Sequence, residues 1–165
     1  MAIPLFYLAL VLAALAAAVI AGHRYAAIYA LLMLADWAAT NAAVGLLGYE
    51  GAPLLVPVCD ALVAMGVALV ALRERGGLGV WVFGLYILVG AVHVWGFVTH
   101  QQRYSYFLAL NLIFAVQCVI IGGAGVARGV ADRVRIRYRR ALDAAWSGAS
   151  AFDDPRRATT PLRKR

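Results

Sequence analysis

Residues 53–72 read PLLVPVCDALVAMGVALVAL. About twenty largely apolar residues in a row can cross a bilayer as a helix, yet Asp60 stands inside this run. Asp60, Ala64 and Ala68 recur at every fourth position with Ala71 beside them, so the acid shares a helix face with small side chains. In lipid, small residues let helices approach closely, and an acid within a span turns toward protein rather than acyl chains. The stretch predicts the central, protein-surrounded helix of a small all-α membrane bundle.

Composition agrees. The 165 residues are 64% hydrophobic and 14% charged, with a mean hydropathy of +0.82. A soluble domain of this length could not bury so much apolar surface. The net charge is +7, but eleven of the fifteen basic residues follow Gly125. Positive charge is therefore a property of the C-terminal tail. Arginine outnumbers lysine fourteen to one, which with the excess of Ala, Gly and Val suggests a GC-rich bacterial or phage coding sequence. Cys59 and Cys118 both fall in apolar stretches, and neither a CxxC nor a Cys–His spacing occurs. No disulfide framework, metal site or cofactor is expected.

Working outward from 53–72, four further apolar runs appear. Residues 3–21 carry no charge and lack the positive n-region of a signal peptide, so they read as a first transmembrane helix. Residues 25–47 form a second span, 80–98 a fourth and 104–126 a fifth. The breaks are Gly22–Arg24, GYEGA at 48–52, RERGGLG at 73–79 and THQQR at 99–103. Loop arginines test this count. Arg24, Arg73, Arg75 and the tail fall on one side, GYEGA has no arginine, and only Arg103 runs against the pattern. The positive-inside rule then gives five transmembrane helices, N-out and C-in, in a bacterial inner membrane. Four spans, with the first cleaved or interfacial, is the alternative.

After the transmembrane bundle of residues 1–126, the tail divides in two. Ala127, Val130, Ala131, Val134, Tyr138, Ala141, Leu142 and Ala145 recur at helical spacing among arginines, which predicts a basic amphipathic cytoplasmic helix over 127–146. Arg133, Arg135, Arg137, Arg139 and Arg140 would contact anionic headgroups, each worth roughly 1 kcal/mol. Residues 147–165 hold few apolar side chains and are expected to be disordered. No aromatic platform accompanies the arginines, so nucleic acid is not an expected partner. Membrane lipids are, together with a second copy or another membrane protein on the small-residue faces.

Polar residues within the spans mark the candidate site. With a helix rise of about 1.5 Å per residue, Asn41, Asp60, His93 and Asn111 fall near one level, roughly 10 Å inside the outer ends of four spans. Asp36 and Gln117 lie deeper. Asp36 and Thr40 share a face, as do Tyr86, Gly90, His93, Phe97 and His100, while Gln117 points away from the stripe of Asn111, Ala115, Cys118 and Gly122. Asn111 and Gln117 suit interhelical hydrogen bonds of about 0.6–2 kcal/mol, and His93 suits a satisfied interior histidine. The two acids are harder to accommodate: each costs about 2.5–3.5 kcal/mol at a helix centre, and no span offers a lysine or arginine. They are expected to be neutral, or hydrogen-bonded to His93 or an amide. Enzyme signatures are missing, since Gly76, Gly77 and Gly79 precede a helix without a strand-borne phosphate loop. The expectation is a non-enzymatic membrane protein with an intramembrane polar site for a proton, an ion or a small solute.

The fifth span with its approach, YSYFLALNLIFAVQCVIIGG at 104–123, resembles small multi-span membrane proteins of phage and prophage genomes. The basic C-terminus is similar to that of holins, phage proteins that permeabilise the inner membrane. The resemblance covers about an eighth of the chain and implies host-membrane modification, such as lysis or superinfection exclusion. It carries over no functional residues.

Overall fold

The computed structural model describes the backbone of residues 2–99 and 103–152, with side chains described over 5–48, 55–99 and 105–146. Four helices follow one another: α1 Ala2–Ile20, α2 Arg24–Ala71, α3 Leu78–Thr99 and α4 Arg103–Phe152. No strand occurs among the described residues. Gly48 interrupts α2 with φ 67 and ψ 176, a conformation open to glycine because it lacks Cβ. It divides α2 into two limbs and gives five helical segments. Positive-φ Gly22 and Gly77 serve the breaks after α1 and before α3.

Contacts between the segments fix their directions. The two limbs of α2 form a hairpin, with Tyr25 Oη donating to Arg73 O at 3.0 Å and Leu32 against Gly66. Reversal is concentrated at Gly48, and helical backbone resumes before Pro53 rather than at it. Helix α3 runs back along the second limb, since Gly79 meets Ala71 and His93 meets Asp60. Helix α4 is antiparallel to α3, through Tyr106 on Gly96, and parallel to α1, through Gly122 on Ala14 and Gly125 on Ala18. A Cβ on Gly125 would lie 2.9 Å from Ala18 Cα. Small residues therefore bring these two backbones together. Tyr7 and Phe114 add an edge-to-face ring contact at 6.0 Å.

A polar cluster fastens the end of the hairpin where α3 begins. Glu74 Oε2 accepts from Tyr29 Oη at 2.8 Å and from the Gly79 backbone N–H at 2.6 Å. The carboxylate thus satisfies one of the free N–H groups at the start of α3.

The core includes Val11, Ala14, Ala18, Tyr29, Met33, Val67, Val82, Cys118 and Ile121. The first limb of α2 buries Ala26, Tyr29, Ala30, Met33 and Asp36. Residues 53–72 are not the protein-surrounded helix expected of them. Asp60 and Val67 of the second limb do face inward, but Leu62, Met65 and Leu69 on its other side are exposed. The small-residue stripe identified the packed face, and the opposite one is exposed.

Apolar side chains dominate the outer surface as well: Phe6, Leu46, Leu62, Trp81, Phe97 and Val119 are all exposed. A protein immersed in water rarely presents so continuous an apolar exterior. Among the described residues, three helices are long and apolar enough to cross a membrane: Arg24–Gly48, Leu78–Thr99 and Ser105–Trp146. Leu5–Ile20 and Leu55–Ala71 are shorter apolar helices.

By its internal packing the chain divides into Met1–Gly129 and Val130–Arg165, three residues later than the sequence suggests. In the second unit the backbone is helical to Phe152, so helix extends six residues into the stretch expected to be disordered. Residues 153–165 lie outside the described residues, as do the side chain of Arg103 and the whole of His100.

Candidate functional site

The hairpin symmetry of α2 builds the site. Asp36 lies twelve residues before Gly48 and Asp60 twelve after, so reversal at Gly48 brings them to one level. Their carboxyl groups are electrostatic neighbours across the hairpin. Helix α3 lays Tyr86 and His93, two turns apart on one face, across this pair. Tyr86 Oη donates to Asp36 Oδ2 at 2.9 Å, and His93 Nε2 lies 2.6 Å from Asp60 Oδ2. Helix α4 completes the arrangement with Tyr106, whose hydroxyl is 2.5 Å from His93 Nδ1. The result is a chain of polar groups, Tyr86–Asp36 hydrogen-bonded on one side and Asp60–His93–Tyr106 on the other, with the two acids as neighbours, drawn from four helical segments.

All five groups are shielded. Asp36 is 7% exposed and Tyr86 4%, and the side chains of His93 and Asp60 are 8% and 11% exposed. No lysine or arginine takes part in this chain of contacts. Hydrogen bonding within the cluster does what a cationic partner would do elsewhere, offsetting part of the cost of holding acids away from water.

The valences leave one position open. Both nitrogens of His93 are engaged, so the ring either donates one bond and accepts the other or, as imidazolium, donates both. Asp36 Oδ1 is buried with no partner. Two ionised carboxylates can only accept hydrogen bonds, so a proton shared between Asp36 and Asp60 is what would satisfy that oxygen. Buried acceptors are seldom left unpaired.

Three of the six residues expected at the site therefore come together: Asp36, Asp60 and His93. Asn41 does not join them. It is exposed and its Nδ2 donates to Trp37 O of its own helix at 2.7 Å. The depth reading paired Asn41 with Asp60 by placing the reversal across 48–52, whereas reversal at Gly48 itself pairs Asp60 with Asp36. Asn111 is half-buried and stands outside the chain of bonds. Gln117 is buried at 1% exposure, with Nε2 lacking a partner, so the expected interhelical bond from that amide nitrogen is not made. Among the described residues no group of His, Cys, Asp and Glu could hold a metal ion.

Two functional residues escaped the sequence reading. Tyr86 was legible as a member of the His93 stripe, seven residues away and hence on the same face, but its hydroxyl was not counted as a site group. Tyr106 stands near a span end, where aromatic rings commonly sit at the interface, and that position gives no sign that it turns inward.

Fold and site together define an all-helical bundle, with three helices long and apolar enough to cross a membrane and a buried acid–histidine–tyrosine chain at its centre. The chain matches no protein-family model, no curated protein and no solved structure.

Proposed function

We propose that this is a multi-pass protein of the bacterial inner membrane, with all five helical segments crossing, N-out and C-in. Its buried centre takes up and hands on a small polar species, a proton or a small ion, without covalent chemistry. The observation that carries this reading is the pair of hydrogen-bonded sets Tyr86–Asp36 and Asp60–His93–Tyr106, meeting at two neighbouring acids inside an otherwise apolar bundle. Intramembrane ionisable residues are expensive and typically mark ion pathways and proton relays. A purely structural contact between two helices needs one hydrogen bond, not five titratable groups gathered together.

The exposed apolar residues Val130, Val134, Tyr138 and Leu142, interleaved with arginines, support attachment of Val130–Trp146 to an anionic inner leaflet. This feature also favours the second reading, a phage-derived membrane-modifying protein of the holin kind.

Purified protein in liposomes tests the proposal. Equilibrium binding of protons and of sodium by wild-type protein is compared with that by Asp60→Asn at equal protein content. Saturable binding by the site that is lost in the variant supports the reading, and identical binding by both proteins overturns it. Induced expression with the membrane potential monitored separates the second reading, for which a timed collapse is expected.

A further inference from the structure

The polar chain ends inside the bundle, and what stops it is visible. Tyr106 lies in the first turn of α4, close to the end of the bundle where α3 finishes. From there the chain descends through His93 and Asp60 to Asp36 and Tyr86. The next polar cluster, Tyr29–Glu74–Gly79, belongs to the opposite end. Three side chains stand between the two clusters, one on each intervening segment. Met33 falls between Tyr29 and Asp36, Val67 between Asp60 and Glu74, and Val82 between Gly79 and Tyr86. All three have 0% exposure. Tyr29 to Asp36 and Gly79 to Tyr86 are seven residues each, or roughly 10 Å of helix, and Asp60 to Glu74 is fourteen, all too far for a direct hydrogen bond.

We infer that the species handled by the centre is the proton, loaded from the Tyr106 end only, with Met33, Val67 and Val82 forming a septum that closes the path to the Glu74 end. This inference rests on the proposed function and specifies its substrate and its sidedness. The geometry favours a proton over a metal ion. A hard cation takes about six or more oxygen ligands. Here one carboxylate oxygen, Asp36 Oδ1, is buried without a partner, and the break in α2 that could expose carbonyls is Gly48, about 18 Å along the helix from either acid. A proton needs only a donor and an acceptor in contact at each step.

The steps balance without any other reactant. Tyr106 Oη gives its proton to His93 Nδ1 and recovers one from water at the bundle end. His93 releases the proton on Nε2 to Asp60 Oδ2, and Asp60 shares it with Asp36 Oδ1. Among the described residues, the titratable groups facing this path are Asp36 and Asp60 from α2, Tyr86 and His93 from α3, and Tyr106 and the buried Cys118 from α4. Cys59 adjoins Asp60 in sequence, and α1 contributes no titratable side chain but Tyr7, whose ring lies on Phe114. Past Asp36 the path meets apolar carbon. Gln117 alone brings polarity to that layer: the register setting Tyr106 against His93 sets Gln117 against Val82. Its unpartnered amide can bind a water but does not itself relay a proton.

The test uses the full chain in liposomes carrying a lumenal pH dye, with a potassium gradient and valinomycin to drive protons. Wild type should pass no more protons than Asp60→Asn, because the path is closed. Met33→Ser should raise flux by at least about tenfold, equivalent to ~1.4 kcal/mol off the barrier. The double variant Met33→Ser/Asp60→Asn should return to baseline. Val82→Ser is the parallel variant if Met33→Ser fails to assemble. Wild-type flux equal to that of the serine variants overturns the septum, and so does no rise in either one. A rise that survives Asp60→Asn overturns the route. Infrared difference spectra of the wild type, recorded between acidic and alkaline media, keep the underlying reading separate. A carboxylic C=O band that disappears in Asp60→Asn is expected, and its absence in the wild type overturns proton handling itself, whatever the flux.

Discussion

Asp36 and Asp60 stand twelve residues to either side of Gly48, and the helical hairpin that Gly48 closes makes their carboxyl groups electrostatic neighbours. The site is therefore an outcome of backbone geometry before it is one of side-chain chemistry. Gly48 holds φ 67 and ψ 176, a region essentially restricted to glycine, where other residues are strained by about 1–3 kcal/mol. Gly48→Ala should lower stability in detergent by that amount. Gly45→Ala is the control, because Gly45 has helical backbone and open space where the methyl would go, and it should be neutral or mildly stabilising. Equal effects from the two changes, measured by thermal unfolding, would contradict the role of Gly48.

Substitutions at Asp60 separate its bonding from its ionisation. In Asp60→Asn the amide oxygen still accepts from His93, and the amide nitrogen can donate to Asp36 Oδ1, the atom now lacking a partner. This variant should assemble at least as well as wild type. Asp60→Leu leaves His93 Nε2 and Asp36 Oδ1 with nothing to bond, and an unsatisfied buried polar group costs about 1–3 kcal/mol. Melting curves in one detergent should rank Asn above Leu. The reverse order would mean that Asp60 is a burden that the fold tolerates.

How much of this was legible beforehand depends on which property each residue was read for. Helical periodicity and hydropathy carried the all-α bundle, because a chain this apolar must satisfy its backbone within helices. Asp36, Asp60 and His93 were legible as costs, since charge in an apolar span demands a partner. Their grouping was not fully legible, because it depends on reversal at Gly48, and GYEGA offered five positions for the turn. Tyr86 and Tyr106 were the least visible. A tyrosine is at home in a core, at an interface or in a relay, and only the orientation of its hydroxyl distinguishes them.

The contact between α1 and α4 depends on the absence of a side chain at Gly125. A Cβ there would meet Ala18 Cα at 2.9 Å and Ala18 N at 3.0 Å, backbone atoms that cannot rotate away. Gly123, two residues earlier, faces open space. Gly125→Leu should force the helices apart and destabilise by about 1–3 kcal/mol or more, as overpacking does. Gly123→Leu should change stability little. A disulfide between cysteines placed at 14 and 122, where Ala14 and Gly122 touch, would report the separation: its yield should fall in Gly125→Leu and hold in Gly123→Leu.

Membrane attachment of the second unit, Val130–Arg165, follows from its chemistry. Arg133, Arg135, Arg137, Arg139 and Arg140 are exposed along the helix. At roughly 1 kcal/mol per basic residue near an anionic surface, replacing all five by glutamine should remove about half of the electrostatic affinity of a 130–165 peptide, which holds ten basic residues, for vesicles containing phosphatidylglycerol. Binding of the unaltered peptide should also weaken as salt rises, because screening shortens the reach of the charges. Affinity that ignores both the substitutions and the salt would leave the apolar stripe alone responsible.

Orientation is the remaining expectation, and it rests on the arginines. Arg24, Arg73 and Arg75 adjoin the breaks at the Glu74 end of the bundle, GYEGA has no arginine, and the tail carries eleven basic residues after Gly125. Successive segments alternate in direction, so the end holding Arg73 and Arg75 also receives the C-terminal part of α4 within Met1–Gly129. Positive charge thus gathers at one end, and the positive-inside rule assigns that end to the cytoplasm. A single cysteine at Glu50, in a chain cleared of Cys59 and Cys118, should react with an impermeant maleimide added to intact cells. A cysteine replacing Arg75 should react only after permeabilisation. A C-terminal phosphatase fusion should be inactive, and a C-terminal fluorescent-protein fusion bright. Labelling at position 75 from outside, or an active phosphatase, would invert the orientation. The Tyr106 end would then face the cytoplasm, and the proton site would draw on the opposite compartment.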